Sequence, residues 1–496
     1  MIGVGIFSSP GLVLSEIGSP GIALILWAVG GVATLFGSLC YFELGHSLST
    51  GGEIEYLNQA YPRPKKLISY IFSFAMVVAI RPAYISAVAN VFAQYFLYLI
   101  KGCYDIDYLH PKGYITDWNF WQLRLCSLAA VVIVTFYHIS ISSIKWASRI
   151  NQTFTIIKML TLLMISFIGL VAIPLFINDE NTNWKNMFPN DMNISARSLA
   201  AALIPISFAY NGWNNLNYNS DDTVDRQQNS LVPNIISVSI VSYLYLCANI
   251  AYTNVPLSKI AGINGPSEII ADQFAFLVGR FNLARAFSFF VCLSALGALA
   301  ANVWTGSQVI VTAAKGDYIP FSSKFQKDKK SALITQAIWC SLMIVFYPLN
   351  DPFKFFVNLS EYCMWVFLFL SALGLLFLRR HSKRLFKVPI GIPIIFIIFA
   401  LFIIIGSFIN DSPQKQQQFL DDDQFLDDDQ FLNDDQFLND DQLCESSKVY
   451  RYVDYQYHLP YIISFVVIAV CAICWYFAPR TSNNNDNNSI SSEDAG

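Results

Sequence analysis

Apolar runs of about 18 residues or more recur along the whole chain, separated by short polar segments, and each is long enough to cross a bilayer as one helix. The pattern predicts twelve helical spans, at 1–17, 21–45, 67–100, 121–143, 150–176, 196–218, 231–255, 275–313, 332–348, 352–378, 389–409 and 459–478. Two are interrupted. The chain opens inside the first, on Met1-Ile2-Gly3-Val4-Gly5-Ile6-Phe7, and the sixth carries Ser207-Phe208-Ala209-Tyr210-Asn211-Gly212-Trp213-Asn214. Glycine weakens a helix and leaves backbone groups free. In hydrocarbon those groups must be paired within protein or line a cavity. Interrupted helices at matching places in two halves of a chain point to the binding site of a secondary transporter.

Composition agrees with a membrane protein. The 496 residues are 54% hydrophobic and 13% charged, against about 25% charged in an average soluble domain. No cleavable signal peptide is visible. The net charge of −4 hides a basic body: ten Asp lie in Gln418–Asp441, and without them 31 basic residues face 25 acidic ones. With the N-terminus cytoplasmic, the inside loops collect Arg63, Lys65, Lys66, Lys145, Arg149 and Arg226, then Lys315 to Lys330 and Arg379 to Lys387. Outside loops are poorer in basic residues, as the positive-inside rule requires. Asn193-Ile194-Ser195 then falls outside, a weak glycosylation match.

Gln418–Asp441 is four copies of a Gln-Phe-Leu-(Asp/Asn)-Asp-Asp hexapeptide in the last outside loop, 410–458. Its period fits neither helix nor strand, and its charge favours a solvated spacer. It lacks the ligand spacing and glycine of a calcium loop. The tail 479–496 reads as disordered. Of the ten cysteines most lie in apolar spans, among them Cys40, Cys126, Cys247, Cys292, Cys340 and Cys363. Cys471 and Cys474 read as packing residues rather than a redox pair. Only Cys103 and Cys444 fall in loops. No metal-ligand cluster, nucleophile–base pair or phosphate loop is visible, so neither a cofactor nor enzymatic catalysis is expected.

Several motifs, in order, resemble the amino acid–polyamine–organocation superfamily, and within it the L-type amino acid transporters and fungal methionine permeases. They are Gly3-Val4-Gly5-Ile6-Phe7-Ser8-Ser9-Pro10-Gly11, Gly18-Ser19-Pro20-Gly21, Cys40-Tyr41-Phe42-Glu43-Leu44-Gly45 with Ser49-Thr50-Gly51-Gly52-Glu53, Arg81-Pro82, Lys145-Trp146-Ala147-Ser148-Arg149 with Phe154-Thr155-Ile156-Ile157-Lys158, and Phe208–Asn214. The resemblance covers nearly the whole chain. It implies an all-α polytopic fold: a five-plus-five inverted-repeat core over 1–378, with repeats 1–176 and 196–378, then two further helices over 389–478. It also implies a zwitterionic amino acid at the membrane midplane.

A zwitterion needs donors for its carboxylate and acceptors for its ammonium. Half-helix starts supply the first and half-helix ends the second. By resemblance, the amides of Gly3, Val4 and Gly5 meet the carboxylate, carbonyls near Met1, Ile2, Phe208 and Asn211 meet the ammonium, and Ala209 belongs to the same substrate-binding stretch. Close helix packing is the plainer role for Gly3 and Gly5. Val4 departs from the family's small polar residue, and Asn211 stands where many relatives have glycine. Asn211 adds bulk and polarity, which favours a small or polar substrate. Phe208 resembles an aromatic gate. Trp213 and Asn214 are wall or packing residues, and Ala298, Asn302 and Tyr362 are weaker wall candidates.

Lys158 lies in the apolar run 154–171, where a charge is costly and functional by default unless it snorkels to the near interface. In sodium-independent relatives a lysine here stands in the space of a sodium ion. A proton-coupling role also stays open. Arg81 is deep in a span, where it pairs with a buried carboxylate, Glu43 or Glu361, or with carbonyls. Cys103 lies near the place where animal L-type transporters form a disulfide to a single-span glycoprotein subunit, although a free thiol is the favoured reading. Relatives carry a cytoplasmic tail and half-helix before Gly3, so the first helix reads as truncated: an incomplete gene model, or an inactive isoform.

The expectation is a sodium-independent secondary carrier of neutral amino acids in the plasma membrane or an internal membrane, working by exchange or proton symport. A non-transporting amino acid sensor is the rival.

Overall fold

The structure is a computed structural model, in which residues 2–47, 52–64, 66–101, 118–140, 144–176, 184, 187–189, 194–214, 231–254, 281–347, 351–381, 387–409 and 440–477 are described. Among them every regular element is helical. In chain order these are α1 (Gly5–Ile17), α2 (Pro20–Ser47), α3 (Gly52–Ala60), α4 (Leu67–Ala75), a π turn (Met76–Ile80), α5 (Arg81–Lys101), α6 (Trp118–Ser140), α7 (Ile144–Phe176) and α8 (Ala196–Tyr210). There follow α9 (Leu231–Tyr252), α10 (Phe281–Lys315), α11 (Ser322–Lys327), α12 (Lys329–Phe346), α13 (Pro352–His381), α14 (Gly391–Gly406) and α15 (Asp440–Phe477).

Nine of the described helical stretches are long and apolar enough to cross a membrane. The shorter α1, α8 and α14 occupy the three remaining expected positions. One boundary differs clearly: the last helix starts at Asp440, not near 459. No glycine or proline lies between 440 and 459 to stop a helix that Pro460 merely interrupts. The rest of the acidic repeat, Asn193, Cys103 and the tail lie outside the described residues.

Local chemistry sets the element ends. Gly18 takes φ +66° and donates its N–H to the Leu14 carbonyl (2.8 Å), ending α1 before Pro20 opens α2. Ser195 caps α8 by accepting the Ser198 N–H at 3.0 Å. The π turn precedes Pro82, which has no N–H to give the carbonyl of Val78 four residues back. Trp339 Nε1–H from α12 donates to that carbonyl instead, at 2.7 Å.

The π turn, α4 and α5 form the most enclosed stretch, with 83% of its apolar window buried, and α5 packs against α6, α10, α12 and α13. Outward apolar side chains, such as Phe136, Phe167 and Tyr243, lie on α6, α7 and α9, as lipid-facing surfaces require. Glu43, fully buried on α2, accepts Arg379 Nε of α13 at 2.7 Å and the Val388 N–H at 2.9 Å, and contacts Arg379 Nη2. Of the two partners expected for Arg81, Glu43 is therefore committed elsewhere.

Candidate functional site

The site grows from the place where α1 and α8 meet. Gly5 is the contact point: a Cβ built on it would sit 2.4 Å from Ala209 Cα and 2.8 Å from Ala209 Cβ. Only a hydrogen at that position lets the two backbones approach so closely. The first amides of a helix have no partner within it, and α1 starts at Gly5 after the unwound Ile2-Gly3. On the opposite side α8 ends at Tyr210. Asn211 turns extended (φ −58°, ψ 153°), and Gly212 takes φ +105°, a conformation favouring glycine. The unwinding frees carbonyls. That of Ala209 accepts the Tyr245 hydroxyl of α9 at 2.9 Å, and that of Phe208 accepts the Asn211 N–H at 3.3 Å.

A cavity of about 400 Å³ opens at this junction, within the range of small-molecule sites. Ile2, Gly3, Asn211, Gly212, Lys158, Ala298 and Asn302 line it, so expected residues from four distant parts of the chain share one wall. Lys158 is 6% exposed, and Thr155 and Met159 of α7, Ser237 of α9 and Thr305 of α10 line the same cavity. Among the described residues no carboxylate forms an ion pair with Lys158.

Other expected residues lie elsewhere. Gly5 and Ala209 are buried against each other where α1 meets α8, and Val4, 1% exposed, does not line the cavity either. Phe208 is 1% exposed, its ring 4.6 Å from Tyr84 and edge-on to Phe353 at 5.6 Å. Since Tyr84 lines the cavity, Phe208 is packed behind that wall. Trp213 stands edge-on to Tyr41 at 4.9 Å, and Asn214 Nδ2 donates to Glu53 Oε1 at 2.8 Å. Both line a separate void of about 30 Å³ rather than the cavity. Tyr362 is not a wall residue: its hydroxyl donates to the Ile404 carbonyl at 3.1 Å and its ring packs on Phe408, Tyr461 and Phe465. Arg81 is buried in α5 and acts electrostatically on Glu361 and Tyr84. Met1 lies outside the described residues.

Sequence reasoning did not assign Tyr84, Tyr245 or the polar wall residues Thr155, Ser237 and Thr305 to the site. It raised Glu361 only as a partner of Arg81. Glu361 Oε1 also accepts Asn211 Nδ2 at 2.8 Å. A carboxylate in the middle of an apolar span was the available signal.

A family model described as "Amino acid permease" matches residues 1–420. The chain belongs to the amino acid permease family. This permease is an integral, multi-pass membrane transporter of amino acids and not an enzyme. It is 28% identical over 418 residues to the mouse protein named Asc-type amino acid transporter 1, covering 83% of this chain and 74% of the relative. It is also 28% identical over 419 residues to the mouse Large neutral amino acids transporter small subunit 2, covering 82% and 73%. To the mouse b(0,+)-type amino acid transporter 1 the identity is 27% over 422 residues, covering 83% and 80%. Both helix breaks fall inside the residues matched by the family model, and α15 lies beyond them.

Proposed function

We propose that this permease is a sodium-independent carrier of neutral L-amino acids that works by alternating access, with exchange as its mode. The observation that carries the reading is the position of Lys158. Its side chain is buried on the wall of the same cavity into which Gly3 of α1 and Asn211-Gly212 after α8 open. A fixed ammonium supplies the positive charge that a coupling cation would bring. It also disfavours that cation, since two unit charges 4 Å apart repel by about 4 kcal/mol at an effective dielectric of 20.

In this reading the substrate carboxylate meets the free backbone amides where α1 begins, at Gly3 on the cavity wall, aided by the helix dipole. The ammonium meets carbonyls at the unwound ends, including Ile2 and Phe208, each of which has two lone pairs to offer. Tyr84 forms one wall of the site, with Phe208 packed behind it and Phe353 against Phe208. The five-plus-five inverted repeat accounts for the pairing of the two broken helices, α1 and α8. Relatives whose names include large neutral amino acids support the neutral class. The presence of Lys158 in the cavity favours proton coupling as the second reading, because a buried amine is a proton carrier as well as a charge. One relative is named a small subunit. Cys103 is the position for a disulfide to a single-span partner here, with a free thiol the simpler state, and the plasma membrane is the default location.

The test is uptake of labelled serine into proteoliposomes preloaded with unlabelled serine, with external sodium replaced stepwise by choline. The expected result is one initial rate at every sodium concentration. A rate that rises saturably with sodium refutes the reading.

A further inference from the structure

Glu361 is a buried carboxyl group whose hydrogen bond among the described residues goes to Asn211 rather than to a charged partner. It is 3% exposed within the span Pro352–Arg379, a place where an ionisable group is expensive and marks function. Glu361 does not line the 400 Å³ cavity but the neighbouring 30 Å³ void. Among the described residues Asn211 alone lines both spaces. Its side chain is therefore the link between the hidden carboxylate and the site.

That link fixes which end of the amide the cavity meets. Oε1 of Glu361 accepts from Asn211 Nδ2 at 2.8 Å, so the NH₂ end of the amide is taken by the carboxyl group. Among the described residues Oδ1 of Asn211 accepts no hydrogen bond. An amide is otherwise free to flip, because its two ends differ little in shape.

We propose that Glu361 is a positioning residue for substrate selection. It turns the Asn211 oxygen toward the cavity, and the permease therefore favours a neutral amino acid whose short side chain carries a hydrogen-bond donor over an aliphatic one of the same shape. This rests on the reading of the cavity as an amino acid site. Threonine and valine make the sharpest pair, because a hydroxyl replaces a methyl at nearly constant volume. One hydrogen bond to a charge-backed acceptor gives threonine an advantage of about tenfold or more.

The experiment is exchange of labelled serine by the reconstituted chain, with unlabelled threonine and valine as competitors, in the native chain and in the Glu361→Gln and Asn211→Gly variants. The native chain is expected to take threonine about tenfold better than valine. Glu361→Gln lets the facing amide take either orientation, and Asn211→Gly removes the acceptor from an extended position that glycine adopts without strain. In both variants the threonine-to-valine ratio falls toward one. Combining them lowers the ratio no further than Asn211→Gly alone, which a merely structural role would not produce. Equal competition by threonine and valine in the native chain overturns the inference, as does a ratio that survives in either variant. Absence of saturable serine uptake in the native chain instead overturns the underlying reading of the site.

Discussion

Gly5 offers the strictest test of how α1 and α8 hold the site. In Gly5→Ala the new methyl would lie 2.4 Å from Ala209 Cα, 2.8 Å from its Cβ and 2.9 Å from its N. Carbon atoms in contact sit about 3.5–4.0 Å apart, so the two helices must part by roughly 1 Å. Two of the three obstructing atoms are backbone, so a change of rotamer gives no relief. Overpacking of this kind costs about 1–3 kcal/mol. Displacing the α1 amides by about 1 Å from the α8 carbonyls is expected to cost on the order of 100-fold in a positioned site. Gly3 is the control, because a Cβ there would meet its nearest neighbour, the Tyr84 hydroxyl oxygen, only at 3.8 Å. Serine exchange and thermal unfolding in detergent are measured for both variants. Gly5→Ala is expected to lose about 10- to 100-fold in exchange rate and to unfold at a lower temperature, while Gly3→Ala loses far less. Equal losses in the two variants would refute the close-approach argument.

Three further outcomes follow from the same geometry. Tyr245→Phe removes the hydroxyl that Ala209's carbonyl accepts at 2.9 Å, and leaving that buried group unpaired should cost about 1–3 kcal/mol, read as a lower melting temperature and weaker serine competition. Glu43→Gln breaks a buried ion pair with Arg379 and should destabilise by about 3–5 kcal/mol, with Glu43→Gln/Arg379→Gln recovering part of the folded yield; no recovery would count against a pair that acts as a unit. Lys158→Ala removes the ammonium on the cavity wall, and the loss of a charged contact of about 1.5–3 kcal/mol should lower sodium-free exchange roughly tenfold or more, so unchanged exchange would remove Lys158 from the mechanism.

The helical layout was legible because each span is a long apolar run, a one-dimensional signal. The breaks were legible too, since Gly3, Gly5 and Gly212 interrupt apolar stretches, and at Gly5 and Gly212 few other residues would serve. What could not be read was which face of a helix meets what. Glu361 and Tyr362 are neighbours in sequence, yet Glu361 bonds to Asn211 whereas Tyr362 points to Ile404 and Tyr461. Consecutive helical residues lie about 100° apart, so the right segment was chosen and the wrong face. Glu43 illustrates the same limit. It was as plausible a partner for Arg81 as Glu361 was, but its actual partner Arg379 lies 336 residues away. The role of Tyr245 depends on a carbonyl that becomes free only once α8 has unwound, and no local pattern encodes that.

The most direct test of the central claim is a side-by-side measurement of labelled serine uptake into empty and serine-preloaded proteoliposomes, without sodium or a pH gradient. The account predicts saturable uptake that is much faster into preloaded vesicles. Equal, unsaturable uptake into both, or none into either, would contradict it.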